Sequence, residues 1–197
     1  MSWTIDTNFG NSCFSTDAIS PFSTGGGNSV LSLSGTGFAY RSDLNYVDVE
    51  LSCVININQH LGGSQGPSLI ARRQTSDGSC YFGSIYFDNF SSGSRSAAVS
   101  KYNGTLDTVT AICTSNTPEA NVPDSTLPTL LMIFRFRVKG RNLLCSLFNY
   151  STGNLIVETG AIHSDILSAG NPGIGANLYN HDSKTFTLAD DLNIKEL

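Results

Sequence analysis

Residues 46–57 read YVDVELSCVINI, a two-residue alternation that places Val47, Val49, Leu51, Cys53, Ile55 and Ile57 on one parity. Tyr46, Asp48, Glu50, Ser52 and Asn56 take the other, with Val54 the one aliphatic residue among them. Successive strand side chains point to opposite faces, so this pattern predicts a long strand with one buried face. A glycine-rich break (LGGSQGPS, 61–68) follows, then SLIARRQ (68–74), a polar turn TSDGS (75–79) and CYFGSIYF (80–87). Asp77-Gly78 is hairpin chemistry, so 46–87 reads as three strands joined by turns.

The same grammar runs outward in both directions. Upstream, Val30–Leu33 and Phe38–Arg41 read as a hairpin around Ser34-Gly35-Thr36-Gly37. Downstream, Ser96–Tyr102 and Thr105–Thr114 flank Asn103-Gly104, a dipeptide suited to a tight hairpin turn. Pro128–Lys139 is a strong strand with Met132, Phe134, Phe136 and Val138 on one parity. It turns at Gly140-Arg141-Asn142 and returns as Leu143–Tyr150. Leu155–Thr159, Gly173–Tyr179 and Thr185–Leu197 complete the set, and only Ala161–Ala169, carrying Ile162, Ile166 and Leu167, has a helical look. Roughly a dozen strands at short spacing and almost no helix predict an all-β, antiparallel two-sheet β-sandwich.

Residues 1–29 are irregular and read as an N-terminal arm on a domain spanning 30–197, with Trp3, Ile5 and Phe9 as its anchors. Its STGGGNS run (23–29) lacks the following Lys-Ser or Lys-Thr of a phosphate cradle and is a loop. Ser115–Leu127, polar and proline-bearing, reads as a surface loop.

The 197-residue chain is 40% hydrophobic but only 14% charged, so Ser, Thr, Asn and Gly must build much of the surface. A net charge of −5 gives no electrostatic case for nucleic acid. No apolar run is long enough to cross a bilayer, and MSWTIDTNFG shows no secretory leader. On that reading the three sequons, at Asn89, Asn103 and Asn149, carry little weight. The five cysteines, Cys13, Cys53, Cys80, Cys113 and Cys145, show no zinc spacing, and most are expected to be reduced structural thiols.

In order and spacing, four segments resemble the concanavalin A-like lectin/glucanase superfamily, in its laminin-G-like jelly-roll branch. They are YVDVELSCVINI, SLIARRQTSDGSCYFGSIYF, the hairpin FRFRVKGRNLLCSLFN with STGNLIVET, and the closing GNPGIGANLYNHDSKTFTLADDLNIKEL. The resemblance covers about residues 38–197 and implies a jelly roll. That fold hosts enzymes, lectins and structural modules alike.

Glucanases of the superfamily carry a strand motif Glu-x-Asp-x-x-Glu. The nearest match, Asp48-Val-Glu50, lacks the third carboxylate, so no catalysis is expected. Arg135, Arg137, Lys139 and Arg141 share one parity and form a basic stripe. Cross-strand pairing with Asp48 and Glu50 is its simplest reading; a site for an acidic glycan or acidic neighbouring protein is the functional one. Sugar binding asks for rings and planar polar groups, for which Tyr81, Tyr86, Tyr102 and Tyr179 with Arg72 and Arg73 are the candidates. Each tyrosine taken singly reads as a half-buried sandwich residue. The resemblance also implies a structural calcium, with Asp182, Asp190 and Asp191 as its acidic residues. His60, His163 and His181 are isolated, so no Ser/His/Asp arrangement is expected.

The combined expectation is a non-catalytic module of a bacteriophage-type virion, made in the host cytoplasm and forming a homo-oligomer. It would work as a capsid decoration or tail-associated protein through protein contacts and glycan adhesion, using the arm and the 115–127 loop. It would require no cofactor, the structural calcium being optional, and would contact neither nucleic acid nor membrane. The rival readings are a free carbohydrate-binding lectin and, behind it, a glycoside hydrolase or lyase.

Overall fold

Alternation becomes burial in strand after strand. The computed structural model describes residues 3–5, 31–34, 37–56, 67–87, 95–104, 109–117, 131–176, 185–188 and 192–197. Fourteen strands run through these described residues: β1 (Trp3–Ile5), β2 (Leu31–Ser34), β3 (Gly37–Arg41), β4 (Val49–Asn56), β5 (Pro67–Arg73), β6 (Cys80–Phe87), β7 (Arg95–Tyr102), β8 (Val109–Thr117), β9 (Leu131–Lys139), β10 (Asn142–Asn149), β11 (Leu155–Ile162), β12 (Asn171–Ala176), β13 (Thr185–Leu188) and β14 (Asn193–Glu196). All pair antiparallel. The first sheet runs β1-β3-β12-β5-β6-β7-β8. The second runs β11-β10-β9-β4-β13-β2, with β14 also on β4.

The alternating segments face each other across one core. Val49, Leu51, Cys53 and Ile55 of β4 and Met132, Phe134, Phe136 and Val138 of β9 are all buried. Each buried side chain of this size contributes about 1.5–3 kcal/mol relative to exposure. From the first sheet come Leu69, Ala71, Tyr81, Ile85, Ala97 and Val99. Gly83 of β6 is required there: a Cβ would sit 2.6 Å from the Phe136 ring of the opposite sheet. A smaller cluster, Ile70, Cys80, Phe82 and Tyr102 with Tyr40 against it, occupies the other face of the first sheet. Cys53, Cys80, Cys113 and Cys145 are thiols not joined in disulfides, and burial pushes the Cys145 thiol far up.

Four local expectations change. β2 and β3 do not pair as a hairpin: β2 pairs with β13 in the second sheet and β3 with β1 and β12 in the first. The helical look of 161–169 resolves into the end of β11 and an irregular segment, because Ile166 alone of its apolar residues is buried. β8 continues through Thr117, so the front of the expected 115–127 loop is strand, and 118–127 lies outside the described residues. Val47 is 47% exposed, because β4 begins two residues later and Tyr46 instead bridges Gly170. Of the expected arm, only Trp3–Ile5 is described; Trp3 packs against the main core. Among the described residues, no helix is long and apolar enough to cross a membrane.

Candidate functional site

The outer face of the second sheet can be read in rows. Glu50, Arg137, Leu144 and Gly160 are successive partners across β4, β9, β10 and β11. Ser52, Arg135, Ser146 and Glu158 form the next row, and Lys139, Asn142 and Ile162 the row on the other side. Gly160 leaves the first row without a side chain at its edge strand. The approach is close: a Cβ there would lie 2.9 Å from both the Leu143 carbonyl oxygen and Leu144 Cδ1. A groove of about 490 Å³ results, lined by Arg137, Lys139, Asn142, Leu143, Leu144, Gly160, Ala161 and Ile162. Ile162 stands 78% exposed at its rim.

The basic stripe therefore has two halves. Glu50 lies 3.9 Å from both Arg135 and Arg137, and Arg135 stacks 4.9 Å over the Phe148 ring. Lys139 and Arg141 are exposed at the turn, and neither has a carboxylate within salt-bridge distance among the described residues. Glu158 beside the groove accepts a hydrogen bond from Ser146 Oγ at 2.7 Å. Asp48 does not join this face, contrary to the pairing expected from its parity. It accepts the Gly140 N–H at 2.8 Å and faces Arg72 at 3.2 Å, at the end of the sandwich.

Arg72 is the hub of that end. Its side chain is fully buried and donates to the carbonyls of Val47 (2.6 Å), Ile166 (2.8 Å) and Gly140 (2.7 Å) as well as to Asp48. Desolvation lowers its pKa, opposed by the Asp48 charge. Tyr81, also fully buried, accepts the Ile166 N–H at 2.9 Å and bonds His163 Nδ1 at 2.7 Å. His163 Nε2 lies 3.9 Å from Asp165, whose carboxylate takes Lys101 at 2.9 Å; that bond holds Asp165 below the usual carboxylate range.

Among the described residues, the sugar-binding set expected from the sequence is not gathered on a surface. Arg72, Tyr81 and Tyr102 are buried in structural roles. Arg73 is 7% exposed and stacks 3.9 Å from the Tyr40 ring centroid. The Tyr86 side chain, Tyr179, and the calcium residues Asp182, Asp190 and Asp191 lie outside the described residues, as do His60 and His181. Among the described residues, no three His, Cys, Asp or Glu side chains converge on a metal position. What sequence reasoning missed is the groove floor. Its one signal is the glycine in LIVETGAI, where a strand gives up a side chain.

No protein-family model and no curated protein matches the sequence. Solved structures are similar in fold. The exoplasmic/lumenal domain of VIP36, in a form bound to Ca2+ and Man3GlcNAc, aligns at a TM-score of 0.57 and 13% identity, over 99% of this chain and 85% of that one. The CBM2 module of the evolved Dit of Lactobacillus casei BL23 phage J-1 aligns at 0.55 and 11%, over 98% and 85%. A legume lectin-like domain from Entamoeba histolytica aligns at 0.52 and 15%, over 83% and 80%. The fold is therefore the concanavalin A-like jelly roll of legume lectin-like domains.

Proposed function

We propose that this chain is a non-catalytic jelly-roll module of a phage-type virion, held among its neighbours by protein contacts and binding glycan on the outer face of its second sheet. The groove over Leu144 and Gly160 carries this reading: it offers an aliphatic floor for the C–H face of a sugar ring, with planar and cationic groups at its rim. The carboxylates nearest to a glucanase pair have other work. Asp48 is bound to Arg72 and Gly140, and Glu50 stands between two arginines, which leaves no free acid–base couple at that position. The likeness to a phage Dit module supports a virion setting, in which the module would act as a homo-oligomer. The likeness to VIP36 favours the second reading, a free lectin, and supports calcium.

Light scattering on the purified protein, with a glycan screen with and without calcium, separates these readings. A stable oligomer that binds glycan without calcium is the expected result. A monomer whose glycan binding requires calcium would replace it with the lectin. Turnover of an oligosaccharide that is lost in Asp48→Asn and Glu50→Gln would sink the non-catalytic reading.

A further inference from the structure

We infer that the groove on the outer face of β9, β10 and β11 takes a saccharide bearing a carboxylate, a deepening that rests on the adhesion reading above. Among the described residues, the lining has two cations, Arg137 and Lys139, one amide, Asn142, and no acid. The nearest acids are occupied on its flanks, Glu50 between Arg135 and Arg137 and Glu158 on Ser146. Against a chain of net charge −5, this is a local reversal of sign.

The spacing fits one anion. Arg137 and Lys139 are two residues apart on the same face of β9, so their stems rise about 7 Å from each other. A carboxylate between them meets a guanidinium fork on one side and an ammonium on the other. Asn142, opposite Lys139 on β10, can donate to and accept from the neighbouring hydroxyls. Leu144 and the bare backbone of Gly160 form the floor, with Ile162 as a wall. That combination suits an amphipathic pyranose. An acidic peptide fits less well: an extended chain would add to a sheet edge, which among the described residues is β11, whereas the groove opens on the sheet face. Nucleic acid lacks a stacking platform, since no aromatic side chain lines the groove.

The test uses the full chain and calorimetric titration with oligogalacturonate, a hyaluronate oligomer and sialyllactose, each beside its methyl ester, and with poly-glutamate. At least one carboxylated saccharide is expected to bind, its ester about tenfold more weakly, and added salt to reduce the difference. Lys139→Gln should weaken that binding about tenfold. Arg141→Gln makes the same change in net charge one turn away, outside the groove, and should alter it less than about twofold. Both side chains are exposed, so unchanged melting temperatures are expected to accompany these effects. Equal binding of acid and ester, or equal loss in the two variants, overturns the inference. A neutral glycan from the earlier screen that binds regardless of Lys139→Gln overturns it while leaving the adhesion reading intact. Poly-glutamate bound with Lys139 dependence while the saccharides stay silent points to an acidic protein and overturns it too. Silence across the panel and the screen removes both.

Discussion

Arg72 shows how one residue can reverse a reading. Its neighbours Leu69 and Ala71 face the main core and Ile70 faces the other side, so simple alternation sends Arg72 outward with Ile70. The register between β5 and β12 slips here: Asn171 pairs with Arg73 but Gly173 with Ile70, so two residues of β5 oppose Pro172 alone. Such a bulge re-aims a side chain, and Arg72 takes φ +53° to complete it. Gly170 makes room, since a Cβ there would lie 2.4 Å from the Arg72 carbonyl carbon. The guanidinium then bonds three carbonyls and a carboxylate at this end of the sandwich. Arg72→Ala should cost about 3–5 kcal/mol, read as a large fall in the denaturant midpoint. Asp48→Asn keeps an oxygen for the Gly140 N–H and should cost less, about 1–2 kcal/mol. Equal losses in the two variants would show that the ion pair itself, not the carbonyl bonds, holds this end together.

At the scale of elements, strict alternation was readable and irregularity was not. β4 and β9 bury the parities that their sequences announce, because a strand with one wet face has one way to hide four apolar side chains. The β2–β3 pair misled because two short strands close in sequence look alike whether they pair or cross between sheets. The groove was half legible: the stripe was visible, but its floor depends on β10–β11 register, which no local pattern encodes. The helical spacing in 161–169 misleads because side chains from other elements hold the segment instead: Tyr81 by the Ile166 N–H, Arg72 by the Ile166 carbonyl, and Gln74 by the Ala169 carbonyl. Tyr81→Phe leaves the buried Ile166 N–H without its acceptor, at a cost of about 1–3 kcal/mol. Hydrogen exchange should report it first at Ile166, with β9 amides unaffected; uniform acceleration would mean the segment is not a separate unit. The β5–β6 turn carries its own pH response. Asp77 accepts the Ser79 N–H at 2.9 Å, which holds its pKa below the usual range. That stabilisation is present above the unfolded value of about 3.9 and is lost as pH falls through the lower folded value. The group is exposed, so the effect is small, about 0.5 kcal/mol. Asp77→Asn should flatten the acid limb of stability against pH by that amount, and an unchanged limb would assign the acid response elsewhere.

Over the whole molecule, connectivity places the closing steps late. β12 lies between β3 and β5, so the first sheet is two pieces, β1–β3 and β5–β8, until residues 171–176 insert. The second sheet has the same property at β4: β13 pairs with its Ile55 end and β14 with Val49–Ser52. Both seams are therefore sealed by the last part of the chain, across sequence separations that make folding slow. Each seam also buries core side chains, Ile174 in the first sheet and Leu192 next to β14 in the second. A chain ending at Gly170 would retain β4–β11 and every turn between them, yet lose the strand that joins β3 to β5 and all cover on one flank of β4. Local stability would predict a modestly weakened protein. The topology predicts loss of cooperativity: no sigmoidal denaturant transition, dye binding to exposed apolar surface, and rapid proteolysis of β3 and β4. Adding residues 171–197 as a separate peptide should restore part of the transition, because β12 and β14 carry their own registers. A truncated chain that still unfolds cooperatively would show instead that β5–β11 form a self-sufficient core and that the closing strands only decorate it.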